Sequence, residues 1–168
     1  IIEYKAMSIF NIFTKDPTEI WSKSSKQKLI LDLSNFSINN LKIGTEKKEL
    51  HKLGKPSNKK PYKNELFEYR ESGLIIETEN DKLAYFGIII ANDQFSKEFE
   101  EAQLSIVLSA TGFLSIDNET SRKGLIRELN LEVNNTDRDE DEIIDFININ
   151  QYTIEIESFN NERIKRIN

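Results

Sequence analysis

The sequence predicts an α+β protein of two tandem helix-plus-β-meander units, with short helices packed on one face of an antiparallel sheet. A short helical pattern near residue 45 is followed, about 76 positions later, by a rougher copy, and such repeats indicate a duplicated unit. The matched positions are Thr45 with Ser121, Leu50 with Ile126, Leu53 with Leu129, and Gly54 with Asn130. Each copy precedes three strand-like stretches separated by turn residues. We therefore expect one domain over residues 16–168, made of two related halves at about 16–91 and 92–168.

The first half begins with a helix start at Asp16, because an aspartate followed by proline is typical of a first helical turn. Residues 29–36 carry the branched and aromatic residues of a buried strand. The next helix, residues 45–53, has Thr45 as its predicted cap and Gly54 as its stop. A loop rich in Lys and Asn follows at residues 57–64, and then strands at residues 65–70, 74–79 and 82–90 with turns at 71–73 and 80–81.

The second half repeats this order with weaker signals. Residues 92–102 are predicted to form a short helix carrying Phe95 and Phe99, and residues 121–129 form the repeated helix. In that copy Asn130 replaces the stop glycine and can still adopt the left-handed conformation that ends a helix. Strands are predicted at residues 104–108, 112–116, 143–149, 152–158 and 163–167, with turns at 150–151 and 160–161.

Composition restricts the function classes. The 168-residue chain has a net charge of −6 and a pI near 5.0. This argues against nucleic-acid binding, because phosphate contacts need a basic face, and it favours a partner protein with a basic surface. The absence of cysteine excludes disulfides, thiolate metal sites and a cysteine nucleophile. No glycine-rich phosphate loop, Gly-x-Ser-x-Gly elbow or histidine pair occurs, so we expect no enzyme activity, cofactor or metal.

Residues 1–15 are predicted to be an N-terminal segment outside the domain. Residues 1–13 are largely apolar but too short to span a bilayer, and they lack the charged start and cleavage site of a signal peptide. Met7 opens a stretch typical of a natural bacterial start, so we expect the residues before it not to be native. These observations favour a cytoplasmic location; the alternative is a periplasmic or envelope-associated protein whose signal was removed.

One motif resembles a known fold. A Gly-Thr pair, a run to a hydrophobic residue and then Leu-Gly-x-Pro ahead of a three-strand meander resemble the β-lactamase inhibitor proteins and the small outer-membrane assembly lipoproteins of Gram-negative bacteria. The matching residues are Gly44, Thr45, Leu50, Leu53, Gly54 and Pro56. The resemblance implies two tandem helix-plus-meander units with a joint sheet, and a function in binding other proteins. The lipoprotein branch requires a lipid-bearing cysteine, which this sequence lacks.

Two charged stretches are candidate interaction sites. The acidic stretch contains Asp137, Asp139, Glu140, Asp141 and Glu142. As a calcium loop it would have glutamate where position six needs glycine, so an interaction surface or a solvated loop is favoured over calcium. The corresponding stretch of the first half is basic and contains Lys47, Lys48, Lys52, Lys55, Lys59, Lys60 and Lys63. If both stretches lie at one edge, they give the molecule an electric polarity that selects partners; the alternative is two ordinary solubilising loops.

Aromatic and catalytic candidates are weaker. Tyr69, Tyr85 and Tyr152 alternate along predicted strands, and any that lie on an open sheet face would suit anchors for a partner, whereas the others pack in the core. His51 is the single histidine, and we expect it at the surface beside the helix's buried face. The strand carboxylates are interpreted as solvent-facing alternation rather than a hydrolase pair; they include Glu68, Glu77, Glu155 and Glu157.

These observations predict a protein-binding module, and within that class an inhibitor or immunity-type protein that neutralises a toxin or enzyme by direct binding. A small acidic protein without catalytic residues suits that role, because a basic nuclease-like cleft attracts it electrostatically. The alternative is a structural or assembly module of the bacterial cell envelope.

Overall fold

A computed structural model describes residues 16–61, 64–108 and 112–168. Within these residues, 46% of the chain is strand and 14% is helical. The predicted α+β class of two tandem helix-plus-meander units is therefore wrong, and the described chain is mostly β. The reason is the length of the helical segments: the longest have seven residues, about two turns, which is too little to cover one face of a sheet. The predicted N-terminal segment lies outside the described residues.

Thirteen strands are present in the described ranges. They are β1 (Leu29–Asp32), β2 (Ser37–Ile38), β3 (Leu41–Lys42), β4 (Asn58–Pro61), β5 (Glu65–Tyr69), β6 (Leu74–Glu79), β7 (Lys82–Ile89), β8 (Leu104–Val107), β9 (Phe113–Ile116), β10 (Asn135–Arg138), β11 (Glu142–Ile149), β12 (Tyr152–Phe159) and β13 (Ile164–Ile167). The helical segments there are α1 (Arg122–Glu128) and 3-10 helices at Pro17–Ile20, Lys47–Leu53 and Arg70–Ser72. Alternating and branched residues therefore located most strands correctly, although the class was wrong.

The larger sheet has eight antiparallel strands in the order β10-β11-β12-β13-β7-β6-β5-β4. It consists of a first meander, β4 to β7, and a second meander, β10 to β13, which join where β13 pairs with β7. The edge strands β4 and β10 correct the sequence prediction, which assigned β4 to a loop and predicted no strand at residues 135–138. Neither has the alternating apolar residues of a half-buried strand, so hydrophobic periodicity does not reveal them.

The smaller sheet has five strands in the order β3-β2-β1-β8-β9. Its central pair, β1 and β8, is parallel, with Leu29 opposite Leu104 and Leu31 opposite Ile106, and the other pairs are antiparallel. Because parallel partners cannot be joined by a tight turn, the whole first meander lies in sequence between these two strands. Each half of the sequence thus contributes strands to both sheets. The relationship between the halves stays a prediction.

One cluster of buried apolar side chains connects the two sheets. The smaller sheet contributes Leu29, Leu31 and Ile106, and the larger sheet contributes Phe67 and Ile156, all 2% exposed or less. The helical segments add Leu50, Leu53 and Leu125 to the same cluster. Since the side chains of Leu50 and Leu53 are both buried, their predicted common face is confirmed.

The predicted helix ends are partly confirmed. Asp16 accepts a hydrogen bond from the Thr18 N–H at 3.0 Å with Pro17 at the first helical position, and Ser121 accepts one from the Gly124 N–H at 3.1 Å. The cap predicted at Thr45 is wrong, because Glu46 is the cap residue there and its side chain makes no capping bond. Shortly after the end of α1, Asn130 has a φ of 50° and so adopts the predicted left-handed conformation.

The helix predicted over residues 92–102 is also wrong, because that segment consists of turns. The Asp93 carboxylate accepts hydrogen bonds from the N–H groups of Phe95 and Ser96, both at 2.8 Å. An aspartate that satisfies nearby backbone groups in this way favours a turn over a helix.

Candidate protein-binding surface

The acidic stretch forms a β-hairpin at one edge of the larger sheet. Strand β10 pairs with β11 on one side, Asp137 lying opposite Ile144, and no strand of the described residues pairs with its other side. At the turn, the Asp139 carboxylate accepts hydrogen bonds from the N–H groups of Asp141 and Glu142 at 2.8 and 2.9 Å. These bonds lower the pKa of Asp139 below its ordinary value. The hairpin is therefore a built turn, although the sequence predicted only an acidic loop.

Four carboxylates of this hairpin are exposed and have no ion-pair partner among the described residues. Asp137, Asp139, Glu140 and Asp141 are all exposed and form no ion pair with any described residue. Glu142 differs, because it is partly buried and pairs with Lys165 at 2.5 Å. We call the exposed residues 137–141 the acidic edge; it contains four carboxylates and one cation, Arg138.

Part of the basic stretch lies at the opposite edge of the same sheet, because Lys59 and Lys60 are on β4, whereas Lys47 contacts Asp81 in the turn between β6 and β7. Seven strand spacings of about 4.8 Å separate the two edges, so they are roughly 30 Å apart. Unlike the acids of the acidic edge, five of the six described lysines of the basic stretch form ion pairs, and only Lys48 is exposed with no ion pair to a described residue. The ion pairs are Lys47 with Glu65 and Asp81, Lys52 with Glu49, Lys55 with Glu19, Lys59 with Asp16 and Glu65, and Lys60 with Glu68. Lys63 lies outside the described residues.

The two charged stretches therefore do not lie together at one edge, as one of the two alternatives from the sequence required. The acidic stretch is at the β10 edge and the lysines of β4 are at the other edge, and the acidic edge has the larger number of charges without an ion pair among the described side chains. Charged edge strands resist unwanted pairing with other chains, and an unbalanced charge also creates a field that reaches an approaching protein. The acidic edge is therefore the main source of unbalanced charge among the described residues of this sheet.

The three candidate tyrosines lie in different environments, and none of their side chains is fully exposed. Tyr69 is 3% exposed, and its hydroxyl has no hydrogen-bond partner in the described structure. Burial raises the pKa of Tyr69 well above its ordinary value. The Tyr85 hydroxyl donates to the Asn168 Oδ1 at 2.7 Å, and burial raises its pKa to about 12. Tyr152 packs on Phe36 with ring centroids 4.1 Å apart.

Tyr85 and Tyr152 share the wall of a small apolar cleft. Its volume is about 80 Å³, and Phe36, Phe86 and Ile154 also line it. Pockets that hold drug-sized ligands are several times larger, at roughly 300–1,000 Å³. The geometry thus assigns these two rings to packing beside the cleft, and Tyr69 to the core. Because Tyr69 is buried and the other two side chains are only partly exposed, their role as anchors for a partner stays a prediction.

The catalytic candidates are occupied by structural contacts. Arg166 binds both oxygens of Glu157 at 2.7 Å or less, and Glu68 pairs with Lys60 and with Arg70. Asn64 donates to Glu77 at 2.7 Å. His51 is exposed, with its Nδ1 2.7 Å from the Lys48 carbonyl oxygen. Among the described residues, no three carboxylate or imidazole side chains are arranged to hold a metal ion.

Comparisons with known proteins add no information about this surface. No family model, no curated protein and no solved structure matches the chain. The resemblance to the β-lactamase inhibitor proteins and assembly lipoproteins therefore stays a prediction. Within the described ranges, none of the helices has the length and apolar character needed to cross a bilayer.

Proposed function

We propose that this protein is a binding module whose acidic edge contacts a basic surface on another protein. The observation that supports this most directly is the exposure of four carboxylates, Asp137, Asp139, Glu140 and Asp141, without ion pairs among the described residues. Elsewhere in the same sheet, charged side chains are extensively paired with one another. An unpaired cluster therefore carries charge that is available to a partner rather than to the fold.

The chemistry of such a contact favours recognition over catalysis. Exposed charges of one sign raise the rate of encounter with an oppositely charged protein and select against partners of like charge. The turn bonds made by Asp139 fix the hairpin before binding, which reduces the conformational entropy that binding costs. Of the roles expected from the sequence, neutralisation of a basic toxin or enzyme by covering its cleft is the one such an edge would serve.

The test removes the charge of the acidic edge while keeping its shape. The triple variant Asp137→Asn, Glu140→Gln, Asp141→Asn leaves Asp139 to hold the turn. Its matched control is Glu46→Gln, Glu79→Gln, Glu119→Gln, which makes the same change in net charge at scattered exposed acids that form no ion pair within the described part of the chain. Immobilised wild-type, variant and control proteins are exposed to an extract of the organism that makes the protein. Any protein retained is then purified and its Kd measured by calorimetry.

We expect a basic protein that the wild type and the control retain equally. Its Kd should increase about 10-fold or more in the triple variant, mainly through slower association, and the difference should shrink in about 0.5 M salt. Equal affinity of the variant and the control would contradict the proposal, as would an extract that yields no retained protein or only acidic ones.

A further inference from the structure

Phe95 is the most exposed large apolar side chain among the described residues, with 85% of its surface in solvent. Single exposed apolar residues are common on protein surfaces, so exposure alone does not identify a site, and the surroundings of Phe95 have to be considered as well. Buried aromatic side chains commonly supply the largest share of binding energy at protein interfaces. Phe95 is therefore the first residue to consider as an anchor in this molecule.

The turn that carries Phe95 is held rigidly. The Asp93 Oδ1 accepts hydrogen bonds from the Phe95 N–H, the Ser96 N–H and the Ser96 hydroxyl, all at 2.8 Å. The Ser96 Oγ in turn accepts from the Asp93 N–H at 2.9 Å, and Ser96 is only 7% exposed. Although burial acts to raise the pKa of Asp93, hydrogen bonds from Ser96 and Lys165 hold it below its ordinary value. The aromatic ring thus projects from a fixed base rather than from a loose loop.

Lys165 connects this turn to the acidic hairpin. Its Nζ contacts the Asp93 carboxylate at 3.1 Å and the Glu142 carboxylate at 2.5 Å. Glu142 begins β11 directly after the acidic edge, and its own N–H binds Asp139. One ammonium group therefore joins the base of Phe95 to the base of the acidic hairpin. The other four exposed large apolar side chains are elsewhere among the described residues: Ile30 and Phe113 lie on the smaller sheet, Leu108 directly follows β8, and Ile20 lies on the first 3-10 helix.

We propose that Phe95 is the apolar anchor of the interface formed by the acidic edge, and that the partner offers an apolar pocket bordered by basic side chains. This inference rests on the proposed function and adds the shape of the partner's site to its charge. An apolar group surrounded by charged contacts is the usual arrangement of a protein interface, in which the rim excludes water from the anchor. The acidic edge ends next to Glu142, which shares Lys165 with the turn that carries Phe95, and its carboxylates complement the charge of such a basic border.

The test compares Phe95→Ala with Phe113→Ala. Both remove an exposed phenylalanine, but Phe113 is on β9 of the smaller sheet. The probe is the basic protein purified in the charge-removal experiment, and Kd and dissociation rate are measured in low and high salt. Because both side chains are largely in solvent, both variants should unfold within about 2 °C of the wild type.

We expect Phe95→Ala to raise the Kd about 30-fold or more through faster dissociation, with an effect that persists in high salt, and Phe113→Ala to leave it unchanged. This differs from loss of the carboxylates, which should act on association and fade with salt. A partner that depends on the acidic edge but binds Phe95→Ala as tightly as the wild type would overturn the anchor and leave the proposed function intact. Absence of any basic partner would overturn both.

Discussion

Lys47 and Arg122 occupy corresponding places before the two meanders but have different surroundings. The N–H of Lys47 donates to the Asp81 carbonyl and that of Arg122 to the Glu162 carbonyl, both at 2.8 Å. Each side chain also pairs with the carboxylate of that same turn residue. The backbone connections therefore match, and the side chains repeat one arrangement of a cation with an acid from the turn.

The difference lies in the second acid of each group. Lys47 binds Glu65 on β5, whose side chain is 24% exposed, whereas Arg122 binds Asp145 on β11, whose side chain is fully buried. Asp145 also accepts a hydrogen bond from the Thr136 hydroxyl at 2.7 Å. An exposed pair contributes little to stability, whereas a buried charge that loses its partner is strongly destabilising. Similar connections can thus carry very different energetic weight.

The largest expected effect comes from breaking the buried group. Asp145→Ala should lower the free energy of unfolding by about 3–5 kcal/mol, because it leaves the Arg122 guanidinium partly buried with one carboxylate fewer. Glu65→Ala, the matched change in the first meander, breaks pairs with both Lys47 and Lys59 but leaves these lysines partly exposed, so it should cost less, about 1–2 kcal/mol. Urea unfolding of both variants measures the difference. Similar losses would show that burial does not separate the two groups.

A paired replacement sharpens the same comparison. If the cost of Asp145→Ala arises from a stranded charge, then Arg122→Met combined with Asp145→Leu should recover at least about half of that loss, because no buried charge remains unpaired and the partly exposed Glu162 keeps its pair with Lys123. Urea unfolding of the double variant beside Asp145→Ala provides the measurement. A double variant that is less stable than the single one would assign the loss to packing instead.

The ends of the helical segments provide the next contrast. Gly54 has a φ of 83°, and a Cβ placed there would lie 2.9 Å from the Ser22 carbonyl oxygen. Gly54→Ala should therefore cost about 2 kcal/mol or more through strain and overlap. After α1, the corresponding residue Asn130 is exposed with a φ of 50°. Asn130→Gly should therefore change the free energy of unfolding by less than about 1 kcal/mol. Thermal unfolding tests both, and equal losses would contradict the contrast.

The smallest effect concerns acid stability. The hydrogen bond from Arg122 lowers the pKa of Glu162 below its ordinary value of 4.5. A carboxyl whose pKa is lowered by folding stabilises the protein above the unfolded value, and that contribution disappears as the pH falls through the folded value. Glu162→Gln should therefore lose less stability than the wild type between about pH 5 and pH 3. The control, Glu46→Gln, should follow the wild type, and identical slopes for all three proteins would contradict this assignment.

The sequence predicted local structure better than architecture. Alternation in residues 74–79 placed β6 at its observed bounds, and the turn at Asn80 and Asp81 is present with positive φ values at both residues. Such signals are local, because side-chain direction and turn geometry depend on neighbouring residues. The class was wrong because the helical pattern at residue 45 produced only a short 3-10 helix, and because the edge strands β4 and β10 lack apolar alternation.

The candidate site was predicted in part. The charges of the acidic stretch are visible in the sequence, but their lack of counter-ions depends on which distant lysines reach which acids. Lys165 is 23 residues from Glu142, and only the folded chain shows that it binds Glu142 and not the exposed acids beside it. Exposure of Phe95 was likewise hidden, because a helix carrying Phe95 and Phe99 would have buried both on one face. Ion pairs between residues far apart in the sequence cannot be predicted from the local pattern around either residue.

The parallel pairing of β1 with β8 also limits how early the smaller sheet can form while the chain is being synthesised. Leu29 meets Leu104, so a nascent chain leaving the ribosome must hold its early strand unpaired on that side while about 75 further residues are synthesised. Contacts between such distant residues form slowly, and an unpaired apolar strand is exposed to aggregation or to chaperones in the meantime. Production of the intact protein in cells should therefore be sensitive to the rate of translation and to temperature.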